Sequence, residues 1–301
     1  MENKLLIVGT VAYDTIETPY GKRERVIGGS GVYASLSARL FGEVSLFSTI
    51  GDDYLEEDLL KLRNSGIDID KLKRIEGEKS FFWEGSYRND LNNAETLKTE
   101  LNCLLKFETK IPEEFKDSNF LFLANIDPDF QKEIIGQMNN LKFSALDTMN
   151  YWIETKREKI FELFKHINLL FLNEGELKLL TGEKNTFVAA EKLFNSSLKN
   201  LIVKRGEYGS ILFSKDNLFI LPAYPLRKVV DPTGAGDSFA GAFIGFLRKE
   251  GEISFEKMKE ALLFATVSAS FAVSDFSVDP LLSLDFETLK IRKDEFLQFL
   301  V

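Results

Sequence analysis

DPTGAGDSFAGAFIGFL, residues 231–247, sets turn-forming residues and two aspartates against the start of an apolar helix. Gly234, Ala235 and Gly236 stand where that helix would open, and the two glycines let backbone approach a ligand with no side chain between. Successive backbone N–H groups at a helix start form a concave anion site, helped by the positive end of the helix dipole. An acid directly behind such a site repels anions, so Asp237 needs a reason to be there. Phosphoryl transfer supplies one: a carboxylate takes the proton of an attacking hydroxyl while the amides hold the charge of the transferred group. The competing reading is a plain turn with Asp237 as a capping acid. Spacing alone leaves the two level.

Upstream, short apolar runs recur as KLLIVGT (4–10), EVSLFSTIG (43–51), NFLFLAN (119–125), KFSALDT (142–148), INLLFLN (167–173) and NLIVKRG (200–206). Between them VYASLSARLF, YLEEDLLKLRNSG, DFQKEIIGQMNN and TFVAAEKLFN carry apolar residues at three- and four-residue spacing. This alternation predicts an α/β fold, a three-layer α/β/α arrangement with a mainly parallel sheet, and a mainly helical stretch after about residue 233. Two stretches, 13–29 and 80–107, show period-two patterning and turn residues instead. They are read as antiparallel strands of a small β-sheet lid, formed by about 13–24 and 80–107 and inserted in a single domain spanning 1–301.

The 301 residues carry a net charge of −9, which argues against a nucleic-acid or anionic-membrane surface. The only cysteine, Cys103, cannot form an internal disulfide, and the only histidine, His166, is read as structural, so no Cys/His zinc cluster exists. The N-terminal run lacks a signal-peptide layout and no apolar stretch reaches the roughly 18 residues of a membrane span, so a cytoplasmic protein is expected. The pattern G-x-x-x-x-G-K-[ST] does not occur, and GTVAYD stands where a dinucleotide fold would place its glycine fingerprint. A P-loop and a nicotinamide cofactor are therefore not expected.

VVDPTGAGDSFAGAF (229–243) resembles the C-terminal signature of the ribokinase-like (PfkB-type) kinases of sugars and nucleosides. The pair Gly28–Gly29 resembles that family's first signature, NEGE (173–176) its N-x-x-E motif, and VKRGEYG (203–209) its strand-loop before the nucleotide site. The elements occur in the family's order over nearly the whole chain, and the lid stretches fall where the family carries its β-lid.

The resemblance implies that Asp237 is the catalytic base and that the amides of Gly234, Ala235, Gly236 and Asp237 form an anion hole for the γ-phosphate of ATP. It implies that Asn173 and Glu176 organise Mg²⁺ through water, a pair that also reads as a helix N-cap with its capping box. Lys204, Gly206, Gly209 and Thr233 are implied to border ATP, and Asp14, Gly28 and Gly29 to hold the acceptor. Asp231, with Thr233, matches a monovalent-cation position, although the loop at 270–278 departs from the family's small-residue pattern, which leaves K⁺ open. Tyr33 stands where relatives often place an asparagine that bonds ribose.

Asn125 and Asn150 follow sheet strands, at the carboxyl edge where ligands bind in open α/β sheets, and are read as substrate contacts. The lid run FFWEGSY puts aromatic residues on both faces of a strand, for stacking on a ligand or for packing. The expectation is thus a phosphotransferase moving the γ-phosphate of ATP to a hydroxymethyl group of a sugar or sugar-like metabolite, dimeric through its lids. A nucleoside is the alternative acceptor, and a catalytically silent ligand sensor the alternative class.

Overall fold

The computed structural model describes residues 3–92 and 94–300. Its strands begin with β1 (Leu5–Val8), β2 (Ala12–Thr18), β3 (Gly21–Gly28), β4 (Val44–Phe47) and β5 (Thr49–Gly51). They continue with β6 (Ile67–Asp68), β7 (Lys73–Ile75), β8 (Phe81–Ser86), β9 (Glu95–Glu100) and β10 (Phe120–Leu123). The last are β11 (Phe143–Leu146), β12 (Leu169–Asn173), β13 (Asn200–Lys204), β14 (Ser210–Ser214) and β15 (Asn217–Leu221). The helices are α1 (Ser30–Ala38), α2 (Glu56–Asn64), α3 (Glu113–Lys116), α4 (Pro128–Ile135), α5 (Asn150–Leu163) and α6 (Glu174–Thr181). They end with α7 (Thr186–Phe194), α8 (Ala235–Glu250), α9 (Phe255–Ala272), α10 (Asp279–Leu282) and α11 (Phe286–Phe299).

Nine strands form one sheet in the order β15-β14-β13-β12-β11-β10-β1-β4-β6. Pairing is parallel from β13 through β6, and β14 and β15 close one edge antiparallel. The central strands read as nearly unbroken apolar runs because helices cover both faces. Alternation along each strand then sorts the side chains. Phe120, Phe122, Phe143 and Phe171 face the layer of α1, α8 and α9, whereas Leu121, Leu123, Leu146, Leu170 and Leu172 face α4 to α7. On the first face Phe171 meets Phe239 and Phe243 of α8 edge-on, with centroids 6.2 and 5.6 Å apart.

Within that layer α8 lies against α1 at backbone distance. A Cβ on Gly241 would overlap the Ala34 carbonyl, and one on Gly245 would stand 2.9 Å from the Ala38 Cα. Four-residue spacing puts both glycines on one helix face. The paired positions rise together along the two helices, so α1 and α8 run parallel and start at the same edge of the sheet.

The second sheet, β3-β2-β8-β9, is the lid. The β2–β3 and β8–β9 pairs are antiparallel as expected, but β2 and β8 pair in parallel. Each is the outgoing arm of its own hairpin, which is why they share a direction. The lid also reaches Gly28, past the expected limit at 24, because β3 runs directly into the turn before α1. EVSLFSTIG breaks at Ser48 into two strands, with β5 leaving the main sheet to pair with β7.

Substituting Gly241→Ala tests the α1–α8 contact. Alanine improves helix propensity by about 1 kcal/mol, yet overpacking should dominate and lower stability by about 1–3 kcal/mol net. Urea unfolding measures the difference, and a stabilised variant would contradict the contact.

Candidate active site

Chain order along the sheet reverses at β1, which has β4 on one side and β10 on the other. Such a reversal opens a crevice beyond the carboxyl ends of the strands. Those ends deliver the polar residues of the site: Asn125 after β10, Asp147 after β11, Asn173 as the last residue of β12 and Lys204 as the last of β13. Asp14 rises from the same edge on β2, and the N-terminus of α8 arrives from the helix layer.

Gly234 is the N-cap of α8 in left-handed conformation (φ 71°), and no side chain caps this helix. The Tyr33 ring lies so close beneath Gly234 that any Cβ there would overlap it. Lys204 Nζ would stand 3.0 Å from a Cβ on Gly236, and the same ammonium pairs with Asp147 at 2.6 Å. The first turn of α8 therefore presents amides that no side chain caps beside a cation, with Ala235 N donating to the Pro232 carbonyl at 3.2 Å and Asp237 in that same turn. Desolvation and then the Asp147 charge push the Asp237 carboxyl up to about 7, with Lys204 opposing. Burial alone would lower the Lys204 pKa, but Asp147 and Glu176 outweigh it and hold the ammonium above its usual range.

Asn173 and Glu176 form a reciprocal capping box: Glu176 N donates to Asn173 Oδ1 at 2.8 Å, and Asn173 N donates to Glu176 Oε2 at 2.7 Å. The helix-start reading of this motif is thus realised, and the box fixes a buried carboxylate near Lys204. Desolvation raises Glu176 to about 7, Lys204 works against it, and the neighbouring Asp147 and Asp237 add to the rise. Among the described residues, no group of three or more His, Cys, Asp or Glu could hold a metal by itself. One hard carboxylate in an acid-crowded cleft suits Mg²⁺, which keeps several waters and is commonly shared with substrate phosphates.

At the turn before α1, the Asp14 carboxyl fills the space a Gly28 side chain would need, and Gly29 turns the chain into α1 with φ 102°. Burial, then Asp231 and Asp237, push Asp14 up to about 8. Tyr33 is fully buried, and neither its hydroxyl nor Asn125 Oδ1 has a hydrogen-bond partner among the described residues. The lid's Tyr87 packs beside Trp83, and Thr233 Oγ1 donates to the Tyr87 hydroxyl at 3.5 Å. Asn150 is exposed, at the first residue of α5.

Asp231 accepts hydrogen bonds from Thr233 N at 2.9 Å and Ser277 N at 2.8 Å. Ser277 Oγ in turn donates to the Ile27 carbonyl at 2.6 Å. Both oxygens of the acid proposed for a monovalent cation thus already hold loop backbone in place. Gly206 and Gly209 adopt positive φ in the loop after β13. Asn92, from the loop between β8 and β9, meets that turn: Glu207 N donates to Asn92 Oδ1, and Asn92 Nδ2 to Glu207 Oε1, each at 3.4 Å. Asp147 also follows a sheet strand in the sequence and is placed at the carboxyl edge from that signal, but its pairing with Lys204 is visible only in the structure. Asn92 had no comparable signal in the sequence.

Residues 2–283 match the family model described as pfkB family carbohydrate kinase. The chain belongs to this family. As a pfkB family kinase it is a phosphotransferase with an alcohol acceptor, using ATP to phosphorylate a sugar or nucleoside. It is 30% identical over 247 residues to the cytidine kinase of Thermococcus kodakarensis, covering 80% of this chain and 87% of that one. The crystal structure of Methanocaldococcus jannaschii nucleoside kinase superposes with a TM-score of 0.79 at 22% identity, covering 98% and 99% of the two chains. An E. coli protein crystallised with ATP and Mg²⁺ superposes with a TM-score of 0.80 at 18% identity, covering 97% and 99%. These likenesses support the ribokinase-like fold, with its large mainly parallel sheet and smaller second sheet.

Asp14, Glu176 and Asp237 hold their protons more tightly in the folded chain than in the unfolded one. Folding therefore takes up protons between about pH 4 and 8, so stability of the ligand-free protein falls as pH rises through that window. Asp14→Asn removes one such titration while keeping the shape. Its stability relative to the parent should rise by more than about 1 kcal/mol between about pH 5 and pH 8. Urea unfolding at both pH values reads this, and an unchanged difference would show that Asp14 does not titrate in the window.

Proposed function

We propose that this kinase phosphorylates a hydroxymethyl group of a sugar or sugar-like metabolite, with Asp237 as general base. The observation that carries the reading is Asp237 in the first turn of an uncapped helix start, its pKa raised to about 7 beside the Lys204 ammonium. A base with a pKa near neutrality combines availability with proton affinity. In this reading the amides of Gly234, Ala235, Gly236 and Asp237 receive the charge of the transferred group. Asn173, Lys204, Gly206, Gly209 and Thr233 border ATP. Mg²⁺, held by Glu176 and Asn173 through water, would neutralise phosphate charge when bound.

The acceptor lies among Asp14, Gly28, Gly29, Tyr33, Asn125 and Asn150. The Asp14 carboxyl, packed against Gly28, supports a polyhydroxylated ligand, because a carboxylate accepts hydrogen bonds from hydroxyl groups. A nucleoside acceptor is the second reading, favoured by the 30% identity to a cytidine kinase and by Trp83 on the lid face that carries Ile16 and Tyr87. In both readings 1–301 acts as one kinase unit with its lid inserted.

Among the described residues no helix is long and apolar enough to cross a membrane. We place the enzyme in the cytoplasm, where ATP is available. We further propose a homodimer through the lids, supported by the exposed lid residues Tyr20 and Leu97 and by the unpaired outer edge of β9. Light scattering at micromolar concentration should give twice the chain mass of 34.3 kDa; a monomer would exclude it. The K⁺ reading of Asp231 requires higher turnover in potassium than in sodium salts.

A panel of sugars and nucleosides, assayed for ADP release with Mg-ATP, identifies the acceptor. With that acceptor, Asp237→Asn should lower turnover by about 10² to 10⁴ while leaving ATP affinity nearly unchanged. Near-normal turnover in this variant would remove Asp237 from the role of base.

A further inference from the structure

Four charged side chains meet at the carboxyl edge of β11, β12 and β13: Asp147, Glu176, Lys204 and Asp237. All three acids act on Lys204, whose long stem leaves its ammonium free to choose among them. It pairs with Asp147, Nζ to Oδ2, at 2.6 Å. The reason for that choice lies in how each carboxylate is held.

Asp147 is fixed at both backbone and side chain. Its amide donates to the Leu123 carbonyl at 2.9 Å, and its Oδ1 accepts from Thr148 N at 2.9 Å. Gln131 Nε2 donates to the Asp147 carbonyl at 3.1 Å and to the Ala124 carbonyl at 2.9 Å. One fully buried side chain from α4 thus ties the ends of β10 and β11 together. With Oδ1 engaged and the backbone held, Oδ2 is left to face Lys204. Glu176 is engaged too, because its Oε2 accepts from Asn173 N in the capping box. Asp237 differs: no hydrogen bond or ion pair links its carboxylate to another of the described residues.

Lys204 nevertheless stands close to Asp237. Its Nζ would be 3.0 Å from a Cβ on Gly236, the residue immediately before that acid. An ammonium that closed on Asp237 would lower its proton affinity and take an oxygen that the acceptor proton has to reach. Held by Asp147, the ammonium uses one of its three donors and keeps two for the oxygens of an arriving phosphate. The two side chains are only 18% and 4% exposed, and a buried pair of this kind commonly adds little net stability. Stability alone is therefore a poor reason for the pair.

We propose that Asp147 is a positioning residue for phosphoryl transfer. It holds the Lys204 ammonium beside the first turn of α8 and off Asp237, so the cation serves the phosphate while the acid stays open to the acceptor hydroxyl. This role rests on the reading of Asp237 as the base.

Asp147→Asn keeps the shape and the Thr148 contact but loses the charge. Crystals of the variant grown without nucleotide should show Lys204 Nζ within about 3.2 Å of an Asp237 carboxylate oxygen. With the acceptor identified by ADP release, turnover should fall about tenfold or more while the KM for ATP does not rise. In a Lys204→Met background the same substitution should lower turnover no further, because no ammonium is left to misplace. A merely structural Asp147 would cost the same in both backgrounds, with Lys204 unmoved. Asp147→Ser repeats the test should the asparagine variant fail to fold. The proposal is overturned if Lys204 keeps its place in the crystals of the neutral variant, if turnover stays within about twofold of the parent, or if the loss persists in the Lys204→Met background. Near-normal turnover of Asp237→Asn is a separate result: it removes the base reading, whereas a failure confined to Asp147→Asn removes this proposal alone.

Discussion

The contact between α1 and α8, with Gly241 against the Ala34 carbonyl and Gly245 against Ala38, fixes where both helices begin. Because they are parallel and share a starting edge, the turn holding Gly28 and Gly29 is brought to the turn holding Gly234 and Gly236, with Tyr33 packed under Gly234. Side-by-side parallel helix dipoles repel each other modestly. The layer of phenylalanines from β10, β11 and β12 outweighs this by burying the opposite faces of both helices. Two positive helix ends then point at one crevice, an arrangement suited to a reaction whose moving group is an anion.

The polar half of the site is short of positive charge. Asp14, Glu176 and Asp237 are each shifted upward by burial, and each feels at least one other acid. Lys204 lowers the pKa of both Glu176 and Asp237, and it is already paired with Asp147. Such a cluster is stabilised by protons in the empty protein and by cations when phosphates enter. That physical need, more than any single distance, is why a divalent metal fits here.

Much of the architecture was legible in sequence. The central strands are apolar on both faces and short, so KLLIVGT, NFLFLAN, INLLFLN and NLIVKRG could be placed as parallel strands from those runs and the helical patterns between them. The turn proposed as the anion hole was legible because Gly234 and Gly236 stand at the start of an apolar helix. What escaped depended on partners distant in the chain. The parallel pairing of β2 with β8 is set by where two hairpins leave the body, and no local pattern encodes it. The β14–β15 hairpin carried a local signal, the polar SKDN between SILF and LFIL, but it lies beyond the motif loop that drew the reading. Asp147 looked like a strand-end acid until Lys204, on another strand, was seen to pair with it.

Ser277 holds the Ile27 carbonyl across 250 residues of sequence, and Asp231 holds Ser277. The crevice around Asp14, Gly28 and Gly29 is built from residues near the beginning of the chain, yet Asp231 and Ser277, which brace it, come from near the end. During synthesis, which proceeds from the N-terminus, β1, β2 and α1 leave the ribosome long before α8 can cover them. The aromatic face of the early sheet must therefore wait, exposed, for the last quarter of the polypeptide. Assembly of this site is a late event in the life of the nascent chain, and the interval before it is when the protein has most to gain from a chaperone.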